Sequence, residues 1–97
     1  MFVDASALTA ILAKEAGFQE LLVRVRQATV RITSPMAVWE TAVALSRILQ
    51  LPVATAGAAV HEYLDLAEIE IEDVPSQAAT LALEAFDRYG KGRHPAG

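Results

Sequence analysis

Two carboxylates in this sequence stand where they could do chemistry. Asp4 is the sole acid among the first 14 residues and follows the apolar run Met1-Phe2-Val3, so a short buried strand ends at it and a helix follows. Glu40 falls on the second turn of a helix that opens at Ser34-Pro35, directly after a second short strand, Arg31-Ile32-Thr33. Carboxylate oxygens are hard donors suited to Mg²⁺ or Mn²⁺. Two of them in one place repel, and a divalent ion is the usual remedy. Such a pair would hold a divalent metal ion.

Each acid also has a plainer reading. Asp is a common helix N-cap, so Asp4 could simply close the first helix; Ser6 competes for that role, and if Ser6 caps, the Asp4 oxygens face the crevice. Glu40 could be a surface residue beside Thr41. Its neighbours Met36, Val38, Trp39, Ala42, Val43 and Leu45 are so apolar, however, that a carboxylate among them calls for a rim position, a partner or an ion. Removing either acid should open no core cavity. The remaining candidates are weaker: His61 lies on the polar side of a helix, and His94 has no second His or Cys at ligand spacing. A phosphotransfer reading would make Asp4 a nucleophile, but haloacid-dehalogenase-like enzymes want a second Asp two residues on, where Ser6 stands.

The elements that must position these acids follow from the pattern. After Asp4-Ala5-Ser6 a helix runs from Ala7 to Ala13; Gly17 separates a second, with Phe18, Leu21, Leu22 and Val25 at i, i+3, i+4, i+7. The helix opening at Ser34-Pro35 runs to about Gln50, Pro52 breaks the chain, and a fourth from about Ala54 to Leu66 carries Ala56, Val60, Tyr63 and Leu64 on one side. Glu68 to Glu72 alternates Ile69 and Ile71 with acids, the mark of an edge strand buried on one face. Ser76 caps a fifth helix with Ala79, Ala82, Leu83 and Phe86 on one face, ending near Tyr89-Gly90. Strands alternating with helices argue for a layered α/β domain with a parallel sheet, whose sites lie beyond the carboxyl ends of the strands. That rule puts Asp4 and the start of the third helix on one edge.

With 97 residues, 54% hydrophobic and 21% charged, the chain is one small folding domain and too apolar to be disordered. The absence of Cys excludes disulfides, thiolate zinc sites and cysteine nucleophiles. No basic leader precedes the first apolar residues and no uncharged run is long enough to span a bilayer, which suggests a cytoplasmic protein with no membrane partner. Residues 51–97 carry eight acids against three bases, all three beyond residue 87, so the surface does not coat nucleic acid generally. RNA, if bound, is held locally, by metal and by the cluster Arg88, Lys91, Arg93 and His94, whose plainer reading is a solvated tail.

Val3-Asp4-Ala5-Ser6-Ala7-Leu8 resembles the N-terminal signature of PIN domains. Thr33-Ser34-Pro35-Met36-Ala37-Val38-Trp39-Glu40 is similar to the segment that brings that family's Glu, and Phe86-Asp87-Arg88-Tyr89-Gly90-Lys91-Gly92-Arg93-His94-Pro95-Ala96 resembles the approach to its third acid. The VapC-like toxins are the group most resembled, over the whole chain in order and spacing. The resemblance implies a PIN-like α/β domain, its parallel sheet flanked by helices, of which this chain spans roughly the first three quarters: family members continue into a helix opening with another essential Asp and a further strand. It also implies a metal-dependent endoribonuclease, the toxin of a toxin–antitoxin pair, with Asp4 and Glu40 as ligands of Mg²⁺ or Mn²⁺, Ser6 as a supporting hydroxyl, and Arg88, Lys91 and Arg93 guiding the RNA. An antitoxin would lie over apolar grooves near the first helices, and a homodimer or higher self-association is expected. With two of the family's acids, the 97 residues alone are expected to be a weak or inactive nuclease; the alternative is a non-catalytic fragment for antitoxin binding or dimerisation.

Overall fold

The computed structural model describes residues 1–73. Three segments of chain run parallel, side by side in sequence order. Phe2 bridges to Ile32; the Val3 N–H donates to the Ile32 carbonyl at 2.8 Å and the Ile32 N–H to the Met1 carbonyl at 2.9 Å. β1 (Ile32–Thr33) pairs on its other side with β2 (Glu70–Ile71), Ile32 opposite Glu70 and Thr33 opposite Ile71. Parallel neighbours need long crossovers, and each is a helix pair: α1 (Ala5–Leu12) and α2 (Phe18–Gln27) before β1, α3 (Pro35–Leu49) and α4 (Val53–Leu66) after it. The layered α/β arrangement expected from the alternation of elements is therefore present, with β2 at the edge among the described residues.

The helices begin and end for local reasons. Gly17 is the N-cap of α2 at φ 85°, a left-handed conformation that strains any side chain, and no atom lies within 4 Å of where a Cβ would stand. Its requirement is conformational rather than steric. Ser34 and Pro35 start α3 as cap and first helical residue. Gln50 closes α3 with a left-handed backbone, φ 54°, and the Ser46 hydroxyl donates to the Leu51 carbonyl at 2.6 Å across that turn.

Leu8, Leu45, Leu64, Val3, Val25 and Val60 are fully buried, so the core is made of aliphatic residues, as the scarcity of aromatic ones demands. α3 packs on both α1 and α4 and is the central helix of the described region. On α4 the expected apolar side forms, with Ala56, Val60 and Leu64 buried and Tyr63 half-buried. β2 departs from expectation: Ile69 is buried but Ile71 is 42% exposed, so its inward face is covered along only part of its length. The fifth helix expected from Ser76, together with Arg88, Lys91 and Arg93, lies outside the described residues. Among the described residues no helix is long and apolar enough to cross a membrane.

Candidate active site

The strand-to-helix junctions at the carboxyl edge of the sheet are built twice on one plan. At the first, Asp4 has extended backbone (φ −83°, ψ 173°), its Oδ1 accepts from the Ala7 N–H at 2.9 Å, and its carbonyl accepts from the Leu8 N–H at 3.0 Å. At the second, Ser34 is extended (φ −117°, ψ 159°), its hydroxyl accepts from the Ala37 N–H at 3.0 Å and its carbonyl from the Val38 N–H, also at 3.0 Å. Each cap satisfies a backbone donor that the first helical turn leaves free.

This geometry decides between Asp4 and Ser6 in favour of the plainer reading of Asp4 as a helix cap. Asp4 is the cap, so α1 starts at Ala5, two residues earlier than the pattern suggested, and Ser6 sits exposed within the first turn. Asp4 has the geometric advantage: its side chain reaches back over N3 from an extended residue, whereas a helical Ser6 cannot. The carboxylate is therefore held in place by the helix it opens.

Glu40 takes the plainer of its two readings, a position at the surface. The buried face of α3 is Ala37, Val38, Thr41, Ala42 and Leu45, while Glu40 is exposed, as are Met36 and Trp39, at 64% and 59%. The desolvation argument for Glu40 thus fails, because much of its apolar neighbourhood in sequence faces solvent. A weak electrostatic influence on Asp4 remains. Burial raises the Asp4 carboxyl above the ordinary carboxylate value, the N–H groups of Ala7 and Ser6 pull it back down, and the negative charge of Glu40 adds the least of the four effects, upward.

Two threonines given no role in the sequence reading matter here. Thr33 is fully buried and its Oγ1 donates to the Val3 carbonyl at 2.7 Å, tying β1 to the residue before Asp4. Thr41, also fully buried, donates to the Ala37 carbonyl at 2.7 Å, one turn back on α3. The only sequence signal for either was a β-branched hydroxyl at a strand end or on a helix face, which is too common to single out.

Among the described residues no group of three or more His, Cys, Asp or Glu side chains gathers at one place. Asp4 and Glu40 are two hard oxygen donors of like charge, Asp4 partly desolvated. That donor chemistry fits Mg²⁺ or Mn²⁺ and leaves most of the ion's positions to water or to acids elsewhere in the chain. On the other flank of α3 an open groove of about 410 Å³ is lined by Val38, Trp39, Ala42, Val53, Gly57, His61 and Ile71, among others. It belongs to α3, α4 and β2, and so is not one of the grooves near the first helices on which a partner was expected.

A family profile described as the PIN domain matches residues 1–95. Ribonuclease VapC of Mycolicibacterium smegmatis is 35% identical over 97 residues, covering 100% of this chain and 73% of that protein. A VapC ribonuclease of Rhizobium meliloti is 35% identical over 109 residues, covering 98% and 75%. Ribonuclease VapC30 of Mycobacterium tuberculosis is 31% identical over 97 residues, covering 100% and 72%. The chain thus spans about three quarters of the length of these relatives.

Proposed function

The chain belongs to the PIN-domain family, and from that premise we propose that it is a metal-dependent endoribonuclease of the VapC toxin type, acting at the edge where Asp4 and Glu40 stand. The observation that supports the reading is the placement of those two acids: separated by 36 positions in sequence, they stand at and just beyond successive strand-to-helix junctions, and the Glu40 charge acts weakly on Asp4. Mg²⁺ or Mn²⁺, held by Asp4 and Glu40, would supply an activated water and charge stabilisation on the phosphate under attack. This chain's own contribution is positional. The Ala7 N–H holds the Asp4 carboxylate in one rotamer, α3 carries Glu40 on a rigid frame, and the exposed Ser6 hydroxyl is available to hydrogen-bond at the rim.

Arg88, Lys91 and Arg93 would guide the RNA backbone, as clustered cations do. Two carboxylates constrain an ion's geometry weakly, so the 97 residues by themselves are proposed to be a poor nuclease. Partners on this reading are an antitoxin protein and a second copy of the chain, and the setting is the cytoplasm. The test is cleavage of RNA in metal-depleted and Mg²⁺- or Mn²⁺-supplemented buffer by the parent, Asp4→Asn and Glu40→Gln. Metal-dependent cleavage that disappears in both variants supports the site; cleavage unchanged in both removes it.

A second reading rests on the exposed apolar surface of α3 with its groove. It makes the chain a non-catalytic module for antitoxin binding or dimerisation. Antitoxin binding by a protein that neither takes up metal nor cuts RNA would favour it.

A further inference from the structure

We infer that Thr33 is a positioning residue for the Asp4–Glu40 pair, its hydroxyl setting the separation of the two junctions that carry them; the inference rests on the proposed metal site. Two hydrogen bonds and a chain junction meet at this residue. Its Oγ1 donates to the Val3 carbonyl at 2.7 Å, immediately before Asp4. Its own carbonyl accepts from the Glu72 N–H at 2.9 Å, which holds β1 to β2. Its successor is Ser34, the cap of the helix that bears Glu40.

Backbone pairing between the first segment and β1 ends below this level. The last ladder bond is Val3 N–H to the Ile32 carbonyl, after which the two chains turn into separate helices. The Val3 carbonyl faces β1 one step further along, and the bond that meets it comes from a side chain. The hydroxyl therefore extends the sheet by one rung at the place where the acids diverge. It is wholly shielded from water, so no solvent molecule competes for the bond. Without it the Val3 carbonyl loses this partner, and the remaining ties between the junctions are side-chain packing and the bonds at Ile32.

Supporting contacts behind metal ligands commonly change affinity or activity by about 10- to 100-fold when lost. Thr33→Val keeps the shape and removes the hydroxyl; Thr33→Ser keeps the hydroxyl. Both are measured against the parent and Asp4→Asn, by calorimetric titration with Mn²⁺ and by RNA cleavage, with melting temperature as a structural control. The expected result is that Mn²⁺ affinity and kcat fall by roughly 10-fold or more in Thr33→Val, at unchanged KM, and that Thr33→Ser restores both. A Thr33→Val protein that melts lower but binds Mn²⁺ and turns over like the parent overturns the inference, since a purely structural hydroxyl would behave that way. So does a parent with no Mn²⁺ site. If Asp4→Asn abolishes cleavage while Thr33→Val matches the parent, the nuclease reading stands and only the positioning role falls; if Asp4→Asn cuts RNA like the parent, the nuclease reading falls first.

Discussion

At Asp4 the cap of a helix and the proposed ligand of an ion are the same side chain, so its substitutions separate two roles. Removing either acid opens no cavity, but the structure adds a cost at Asp4 that composition does not show. Asp4→Ala deletes the N-cap bond to Ala7 and is expected to destabilise the fold by about 1 kcal/mol. Asp4→Asn keeps an oxygen acceptor at the cap and should lose little stability, while both variants lose cleavage; urea unfolding beside an RNA assay distinguishes them. The pH dependence follows from burial. The folded-state pKa of Asp4 is raised above the unfolded carboxylate value near 3.8, so in the window just above that value the native chain holds a proton that the unfolded chain has released. The resulting stability is fully present below the unfolded value and is lost as pH rises through the folded one. Urea midpoints measured across that acidic range should therefore fall more with rising pH in the parent than in Asp4→Asn, where the group cannot titrate.

At the scale of elements, α3 is the helix on which the proposed site depends most. It is buried between α1 and α4, begins with the Ser34 cap and presents Glu40 on its exposed side. Ser34→Ala leaves the Ala37 N–H without its partner and should cost about 1 kcal/mol, fraying the turn that precedes Glu40. A thermal melt followed by circular dichroism reads the loss, and Mn²⁺ affinity should weaken with it. Glu40→Gln, by contrast, changes an exposed helical position and should alter stability by no more than about 0.5 kcal/mol, so its effect on cleavage reports chemistry alone.

For the whole molecule, the relevant quantity is how many acids meet at the carboxyl edge. Trp39, the single Trp, is 59% exposed and adjacent in sequence to Glu40, which makes its emission a local reporter of the site. Mn²⁺ should quench it saturably in the parent and only by weak collision in Asp4→Asn. A chain carried to the full length of its VapC relatives, of which this one spans about three quarters, should cut RNA at least ~10-fold faster than the 97 residues alone, because further ligands fix the ion's orientation. Equal rates in a single-turnover assay would mean that Asp87, or another acid outside the described residues, completes the site within these 97 positions.

The element order, the breaks at Gly17 and Pro52, the Ser34-Pro35 helix start and the edge placement of Asp4 were legible in the sequence, because each depends on neighbours within one turn or on an alternation a few residues long. The family resemblance was legible for the same reason: its motifs are short and local. Three matters were decided only by the tertiary structure. Which of Asp4 and Ser6 caps α1 depends on where the backbone leaves the sheet. Whether Glu40 is buried depends on how α3 is rotated between α1 and α4, which turned Met36 and Trp39 outward against their hydropathy. That Thr33 reaches the Val3 carbonyl, 30 residues back, depends on the parallel register of two strands. Periodicity gives the face of each element relative to itself, and only packing gives it relative to the others.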